Sequence, residues 1–330
     1  MGEKINVDKD IKLAETLPAK FYKDKNIFES SKKKIFLKCW HWIGDNSSCK
    51  EGNIKIPIDI LPKFLNEPVI ISNSEKNKIK CFSNVCTHRG NILVHEKCKS
   101  KKIICNYHGR RFDDEGKFEF MPEFKETINF PRKSDNLHDF PLFLWNNLVF
   151  VGLNPSFSIE KVFVKINERI SFLPLQNLKL DKELSKDYSI DANWALYCDN
   201  YLEGFHVPFV HKDLNEVLDY SNYDTEIDEY FNLQIGYAKN KDECFEIPKE
   251  HRDFGKNIAA YYYWIFPNLM LNFYPWGISI NLVCPEEISK TKILFRSYVF
   301  NKSKLNLGAS GDLDKVEMED EEIVQECTMG

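Results

Sequence analysis

The apolar positions of this chain fall into three successive patterns. Residues 1–37 are rich in lysine and carry large apolar side chains at Phe28, Ile35 and Phe36, which predicts a helical lead-in. From Ile54 the pattern changes to short β-branched and aromatic runs (IKIPIDI, PVIIS, KIKCFS, KKIIC, FEF and NLVFVGL) separated by turn residues. None is long enough for a core helix, so residues 38–155 are expected to form a small all-β unit. Asn154-Pro155 marks its end by turn chemistry. Beyond it, Ile159, Val162, Phe163, Ile166 and Ile170 recur at helical spacing behind a serine cap. A second helix is expected from about Asn193 to Phe205. Several longer strands follow between Tyr220 and Phe300, then an acidic helix from Gly311 to Gly330. Residues 156–330 therefore read as an α+β unit, an antiparallel sheet with helices packed on it.

Composition narrows the class of protein. The 330 residues suffice for about two domains. With 43% hydrophobic and 29% charged residues, the chain reads as globular rather than disordered. A net charge of −5 gives no reason to expect nucleic acid as a partner. The longest apolar stretch, Pro141 to Leu153, is interrupted by Asn146 and Asn147 and falls short of the roughly 20 residues a membrane span needs. The charged start lacks an apolar core, so no secretory leader is expected. Ten cysteines without a leader point to a reducing compartment, the cytoplasm, where they serve as thiols or metal ligands rather than disulfides.

Two constellations carry chemistry. Residues 86–112 read CTHRGNILVHEKCKSKKIICNYHGRRF, in which Cys86 and His88 form one pair and Cys105 and His108 a second. Each pair sits in a loop after a β run, with Gly90 and Gly109 close behind. Four such residues can hold a structural zinc, but zinc fingers pair like ligands, two cysteines then two histidines. A Rieske [2Fe–2S] cluster binds one iron through two cysteines and the other through two histidines, so each loop would give a ligand to each iron. Cys81, His95 and Cys98 lie nearby but outside the pairing.

The second constellation lies in NWALYCDNYLEGFHVPFVH, residues 193–211. His206 and His211 would stand about 140° apart on a straight helix, but Pro208 between them breaks the helix and can bring both rings to one point. Glu203 precedes His206 by three residues, on the same helical face. Two neutral imidazoles and a carboxylate form the facial triad of non-haem Fe(II) oxygenases. In the acidic tail, the apolar line through Leu313, Val316, Ile323 and Cys327 passes through Asp320. Of the eight acids there, Asp320 is therefore the one expected to face inward, as an iron ligand; the alternative is a frayed terminal helix with Asp320 in water. The rest of the charge run reads as a solvated face.

The two constellations in this order resemble the Rieske non-haem iron oxygenases, specifically the large (α) subunit of the aromatic-ring-hydroxylating dioxygenase type. CTH…CNYHGRRF is similar to the Rieske signature, DNYLEGFHVPFVH to the mononuclear iron signature, and EDEEIVQECTMG to the carboxy-terminal ligand helix. NWALYCDNYLEGFHVPFVHKDL and FPNLMLNFYPWGISINLVCP look most similar to the choline monooxygenase-like branch. The resemblance implies an all-β Rieske domain over residues 38–155 and a helix-grip catalytic domain over 156–330, with residues 1–37 packed on the latter. It implies Cys86, His88, Cys105 and His108 as cluster ligands, His206, His211 and Asp320 as ligands of a mononuclear Fe(II), and Glu203 as an acid linking the two centres. It further implies O₂ as co-substrate, electrons from NAD(P)H through a separate reductase (with or without a ferredoxin between), and a head-to-tail homotrimer. Two features depart from the family. Arg110 replaces the Trp that often follows the second loop's Tyr-His-Gly, which would alter the docking of a redox partner. The tail ends ten residues past Asp320, short of a segment many relatives carry.

The implied activity is that of a terminal oxygenase component that hydroxylates a small organic substrate, either quaternary ammonium (choline-like) or aromatic. Tyr261, Tyr262, Tyr263, Trp264, Phe266, Phe273, Tyr274 and Trp276 could cage a quaternary ammonium by cation–π attraction or form the core of the sheet; alternation along a strand sends only half of them to one face. The rival reading is a Rieske electron carrier or metal-bound regulator without oxygen chemistry.

Overall fold

The computed structural model describes residues 5–75 and 78–330, which fold as two compact units. One comprises Phe36–Glu168; the other joins the chain up to Ile35 with Arg169–Gly330. Among its described residues the lead-in is α-helical at α1 (Lys20–Lys23) and α2 (Lys25–Lys34), the latter capped by Asp24, whose carboxylate accepts from the amides of Asn26 and Ile27.

The Phe36–Glu168 unit is built from three antiparallel sheets, as its short apolar runs predict. A five-stranded sheet has the order Cys98–Lys99, Ile54–Ile60, Glu67–Asn73, Ile79–Ser83 and Asp139–Phe140. Ile103–Ile104, Arg111–Phe112 and Phe118–Phe120 make a small meander, and Trp40–Asp45, Leu148–Gly152 and Leu142–Trp145 form the third sheet. The predicted amphipathic helix exists as α3 (Ile159–Ile170), with the Ser158 hydroxyl accepting from the Lys161 amide. The units divide at the end of this helix rather than at Asn154-Pro155. Phe163 packs on Phe143, Trp145 and Phe150, and Trp145 donates to the side chain of Asn167 at 2.9 Å, so the inner face of α3 completes the β unit's core.

The second unit has a seven-stranded antiparallel sheet in the order Lys179–Ile190, Lys290–Val299, Gly277–Glu287, Leu269–Tyr274, Ile258–Ile265, Phe231–Tyr237 and Asp224–Ile227. The interior strands Ile258–Ile265 and Leu269–Tyr274 are nearly continuous apolar runs, while Lys290–Val299 alternates buried with half-buried positions over most of its length. The edge strand Lys179–Ile190 is mostly exposed and broken by a bulge between Asp181 and Lys186, so it shows none of the alternation by which strands are read. Helices α4 (Trp194–Tyr201), α5 (Val207–Val210), α6 (Lys212–Val217) and α7 (Leu313–Met329) complete the unit, with α4 packed against α7 and against strand Gly277–Glu287. Among the described residues no helix is long and apolar enough to cross a membrane.

A buried ion pair fixes the start of this unit. Arg169, in the last turn of α3, donates to Asp253 at 2.6 Å and also to Glu226; Asp253 in turn accepts from Lys256 and from Tyr261. Both Arg169 and Asp253 are buried. Removing one partner leaves an uncompensated charge, so Arg169→Met is expected to cost about 3 kcal/mol, read as a lower urea midpoint. A loss below about 1 kcal/mol would show that Lys256 alone compensates Asp253.

Candidate metal centres

The two loops of the β unit are built alike. The Gly90 amide donates to the Cys86 carbonyl at 3.0 Å, and the Gly109 amide to the Cys105 carbonyl at 2.9 Å. One residue further on, the Cys86 amide donates to the Asn91 carbonyl and the Cys105 amide to the Arg110 carbonyl, both at 2.8 Å. Each turn places its glycine at φ +70°, a left-handed conformation that a side chain would strain. The first loop is pinned at its base by Asn84, which exchanges two hydrogen bonds with the backbone of Val94. The second is a hairpin between Ile103–Ile104 and Arg111–Phe112.

This scaffold brings the four predicted residues together. The Cys86 and Cys105 thiols lie within hydrogen-bond reach of each other, and the rings of His88 and His108 are 4.8 Å apart. Burial pushes the Cys86 thiol up. Burial acts the same way on Cys105 but is outweighed by the amides of Tyr107 and His108, so that thiol is held below its ordinary value. His88 is held below the usual imidazole range by burial and by the neighbouring His108 and Arg89, which favours its neutral, ligating form. Nδ1 of His88 and Nδ1 of His108 are buried with no hydrogen-bond partner. Two bare nitrogens beside two thiols, one stabilised as thiolate, fit a cluster bound through mixed ligands. Arg110 is not on the docking surface where the sequence would put it. It is buried, ion-paired to Asp135 at 2.6 Å and stacked against Phe118, so it braces the loop from inside.

In the other unit, His206, His211 and Asp320 offer ligand atoms that all lie within 4.8 Å of one another. The local route differs from the expected helix. α4 ends at Tyr201, a turn through Glu203 and Gly204 follows, and His206 caps α5, so Pro208 starts a short helix rather than breaking a long one. Glu203 reaches His206 through this turn: one oxygen accepts from the amides of Phe205 and His206, and the other lies 2.7 Å from His206 Nδ1. Gly204 is required because a Cβ would stand 2.6 Å from the ring of Tyr223. His211 Nδ1 lies 2.8 Å from Glu319. A carboxylate only accepts, so Nδ1 of each ring carries a proton toward its glutamate, which turns each Nε2 toward Asp320, where a metal would take the place of any Nε2 proton. Those Nε2 atoms face Oδ1 of Asp320, at 3.7 Å from His206 and 3.0 Å from His211, and Asn200 donates to the same oxygen at 2.7 Å. Burial lowers the His211 pKa, but Asp320 and Glu319 outweigh it and raise it overall. Two histidines with fixed tautomers and a carboxylate fit an Fe(II) site with open positions.

The inward line of α7 runs Leu313, Glu317, Asp320, Val324, one residue off the line read from the sequence; Cys327 is exposed. Asp320 lies on both. Glu317 and Glu319, taken as solvated, are buried and half-buried. Glu317 accepts from Tyr197 and from Asn281, and burial pushes its carboxyl up to about 8. These two acids are the site residues the sequence reading missed. The signal for Glu317 was its place three residues before Asp320 and seven before Val324, on one helical face, hidden because acids were counted as outward; Glu319 carried none.

A pocket open to solvent adjoins the three ligating residues. Tyr197, which holds Glu317, and four further tyrosines, Tyr201, Tyr223, Tyr262 and Tyr274, share its wall with Asn272, Ser279, Asn281 and Glu317. Of the aromatic run singled out in the sequence, only Tyr262 and Tyr274 reach it. Tyr261 turns to Asp253 and Phe245, and Tyr263 packs on Phe231 and Phe273, as alternation requires.

Two family models match this chain: the Rieske [2Fe-2S] domain over residues 39–131, and the catalytic domain of the ring-hydroxylating alpha subunit over residues 177–329. The chain belongs to the Rieske non-haem iron oxygenases. It is 28% identical to the chloroplastic choline monooxygenase of Arabidopsis thaliana, over 96% of this chain and 76% of that protein. It is 27% identical to the carnitine monooxygenase oxygenase subunit of Escherichia coli, over 79% and 68%. Its fold matches the quaternary ammonium Rieske monooxygenase CntA at a TM-score of 0.73 and 21% identity, covering 95% of this chain and 84% of that one. Naphthalene 1,2-dioxygenase from Rhodococcus sp. also matches at 0.73, with 20% identity and 95% and 82% coverage.

As a Rieske oxygenase the protein is a two-domain α+β enzyme that uses a [2Fe–2S] cluster, a mononuclear iron, O₂ and electrons passed from NAD(P)H by a reductase. The carrier-only reading is set aside, because the catalytic-domain match spans nearly all of the second unit. The geometry of α7 yields a direct test. Glu319→Gln, which weakens the hold on His211, is expected to lower iron affinity by about 10- to 100-fold, while Glu322→Gln on the exposed face leaves it unchanged. Equal iron retention in both variants after dialysis against a chelator would remove Glu319 from the site.

Proposed function

We propose that this oxygenase hydroxylates a small quaternary ammonium substrate, with Cys86, His88, Cys105 and His108 holding the cluster and His206, His211 and Asp320 holding the iron. The observation that carries the substrate class is the cavity, whose wall offers four tyrosine rings beside the ligand triad. Ring faces attract a cation that carries methyl groups in place of hydrogen-bond donors. The 28% identity to a choline monooxygenase and 27% identity to a carnitine monooxygenase subunit support the same class.

The metals supply electron delivery and O₂ activation, by which one oxygen atom enters a C–H bond and the other leaves as water. The chain supplies geometry. Glu203 and Glu319 hold the two imidazoles in the tautomer that presents Nε2, and Asn200 orients the Asp320 carboxylate. The tyrosine wall keeps bulk water from the reacting carbon and leaves room for a small substrate. Residues 36–168 act as the electron-accepting unit and residues 169–330, with the lead-in, as the catalytic one.

Glu203 is the acid that couples the centres. It is a quarter exposed beside His206, and Phe205 and Phe209 near it are exposed apolar residues. Such a surface suits a neighbouring copy's cluster loop, whose Tyr107 is likewise exposed. The assembly is a head-to-tail homotrimer, expected at about three times the 38.8 kDa chain by light scattering. The ten cysteines, none in a disulfide among the described residues, suit a reducing cytoplasm. The reductase delivers electrons directly or through a ferredoxin.

The test is oxygen uptake with an NADH-dependent reductase across choline, carnitine and simple arenes. Uptake coupled to product is expected for the ammonium compounds; stimulation by arenes alone would overturn the substrate class. With iron supplied to saturation, Glu203→Gln is expected to hold both metals and a cluster reducible by the reductase, with product formation still falling by about 100-fold or more. Product formation restored by saturating iron would make Glu203 only a support of His206 and not a coupling acid.

A further inference from the structure

We propose that Glu317 is the counter-charge for a cationic substrate, the residue by which the cavity prefers an ammonium over an uncharged molecule of the same shape. This rests on the reading of the substrate as a quaternary ammonium compound and adds to it the group that recognises the charge.

Glu317 sits one helical turn before Asp320 on the inward face of α7, and its side chain forms part of the cavity wall. One carboxylate oxygen accepts from the Tyr197 hydroxyl and the other from Asn281 Nδ2 at 3.0 Å. Asn281 Nδ2 also lies 3.3 Å from the Tyr197 oxygen, so the three side chains hold one another in place. A carboxylate has about four acceptor sites, and the two bonds observed leave capacity unused. Among the described residues no lysine, arginine or histidine pairs with Glu317. The ionisable groups that act on it are Tyr197 and two further acids, Asp320 and Glu321. It also stands outside the set of groups that could share a metal ion.

A buried carboxyl among acids, with no basic partner, lies in a cavity that ends at an iron site. Burying a charge without compensation is strongly unfavourable, so the arrangement suits a ligand that brings positive charge with it. The four tyrosine rings favour trimethylammonium only weakly over an apolar tert-butyl group of the same shape. The carboxylate, a full opposite charge, widens that preference. A quaternary ammonium has no N–H to donate, so it acts on Glu317 through charge alone and leaves the bonds from Tyr197 and Asn281 intact.

The experiment compares choline with its uncharged carbon isostere, 3,3-dimethylbutan-1-ol, by anaerobic titration calorimetry on the holoenzyme. Wild-type protein is expected to prefer choline by about tenfold or more. Glu317→Gln keeps the shape and an acceptor for Tyr197; it is expected to lose that preference while binding the isostere within about twofold of wild type, with iron content and cluster spectrum unchanged. Should the glutamine variant fail to fold or to hold iron, Glu317→Asp, which keeps the charge, is expected to retain a preference for choline. An aspartate variant that binds both ligands equally overturns the proposal. So does a glutamine variant that discriminates as wild type does, or one that loses both ligands to the same extent; in those cases the substrate class stands. Wild-type protein that fails to prefer choline overturns the substrate class and this proposal together.

Discussion

Helix α7 carries Glu317, Glu319 and Asp320 toward the interior of a unit that places almost no basic side chain there to meet them. Among the described residues the sole lysine contact of these three acids is Lys315 at 3.9 Å from Glu319, across the exposed edge of the helix. Repulsion among these acids and the cost of desolvating them would push the helix away from α4 unless positive charge arrives from elsewhere. The two imidazoles supply part of it, through Nδ1–H donors to Glu319 and, across the turn, to Glu203. A divalent iron held by these residues, as proposed above, would supply the rest and correct the charge deficit around which the catalytic unit is organised.

The same economy of polar groups governs the β unit. Two turns with the same hydrogen-bond pattern present thiols and bare ring nitrogens to one point, and buried Arg110 with Asp135 stiffens the second loop from beneath. Backbone amides at Tyr107 and His108 favour the Cys105 thiolate before any metal is bound. In both units the protein orients its ligands with local turns and carboxylate or amide partners, so ligand placement does not depend on long helices.

What could be read from the sequence follows from this. The cluster loops were legible because their residue types and spacing permit few other chemistries, and the sheet strands because their apolar runs are dense. The edge strand Lys179–Ile190 was not, because it is polar and exposed on both faces. The link from Glu203 to His206 was anticipated, but through a helical face; Gly204 and the close ring of Tyr223 produce a turn instead. On α7 the apolar residues alone give a line displaced by one position, because Glu317 occupies a core position usually filled by an apolar residue. A rule that sends acids outward hides such a residue. The aromatic run 261–276 was split between core and cavity by strand alternation, but Tyr201, at the end of α4, and Tyr223, in the connection before Asp224–Ile227, also reach the wall and carry no periodic signal.

The central claim is that Asp320 and two histidines hold an iron distinct from the cluster. It is tested most directly by iron and acid-labile sulfide analysis of the wild-type protein beside Asp320→Ala. The account predicts about three irons and about two sulfides per wild-type chain, and about two irons with two sulfides in the variant, whose cluster spectrum is unchanged. A variant that keeps the third iron, or a wild-type chain that holds zinc in place of iron, would contradict it.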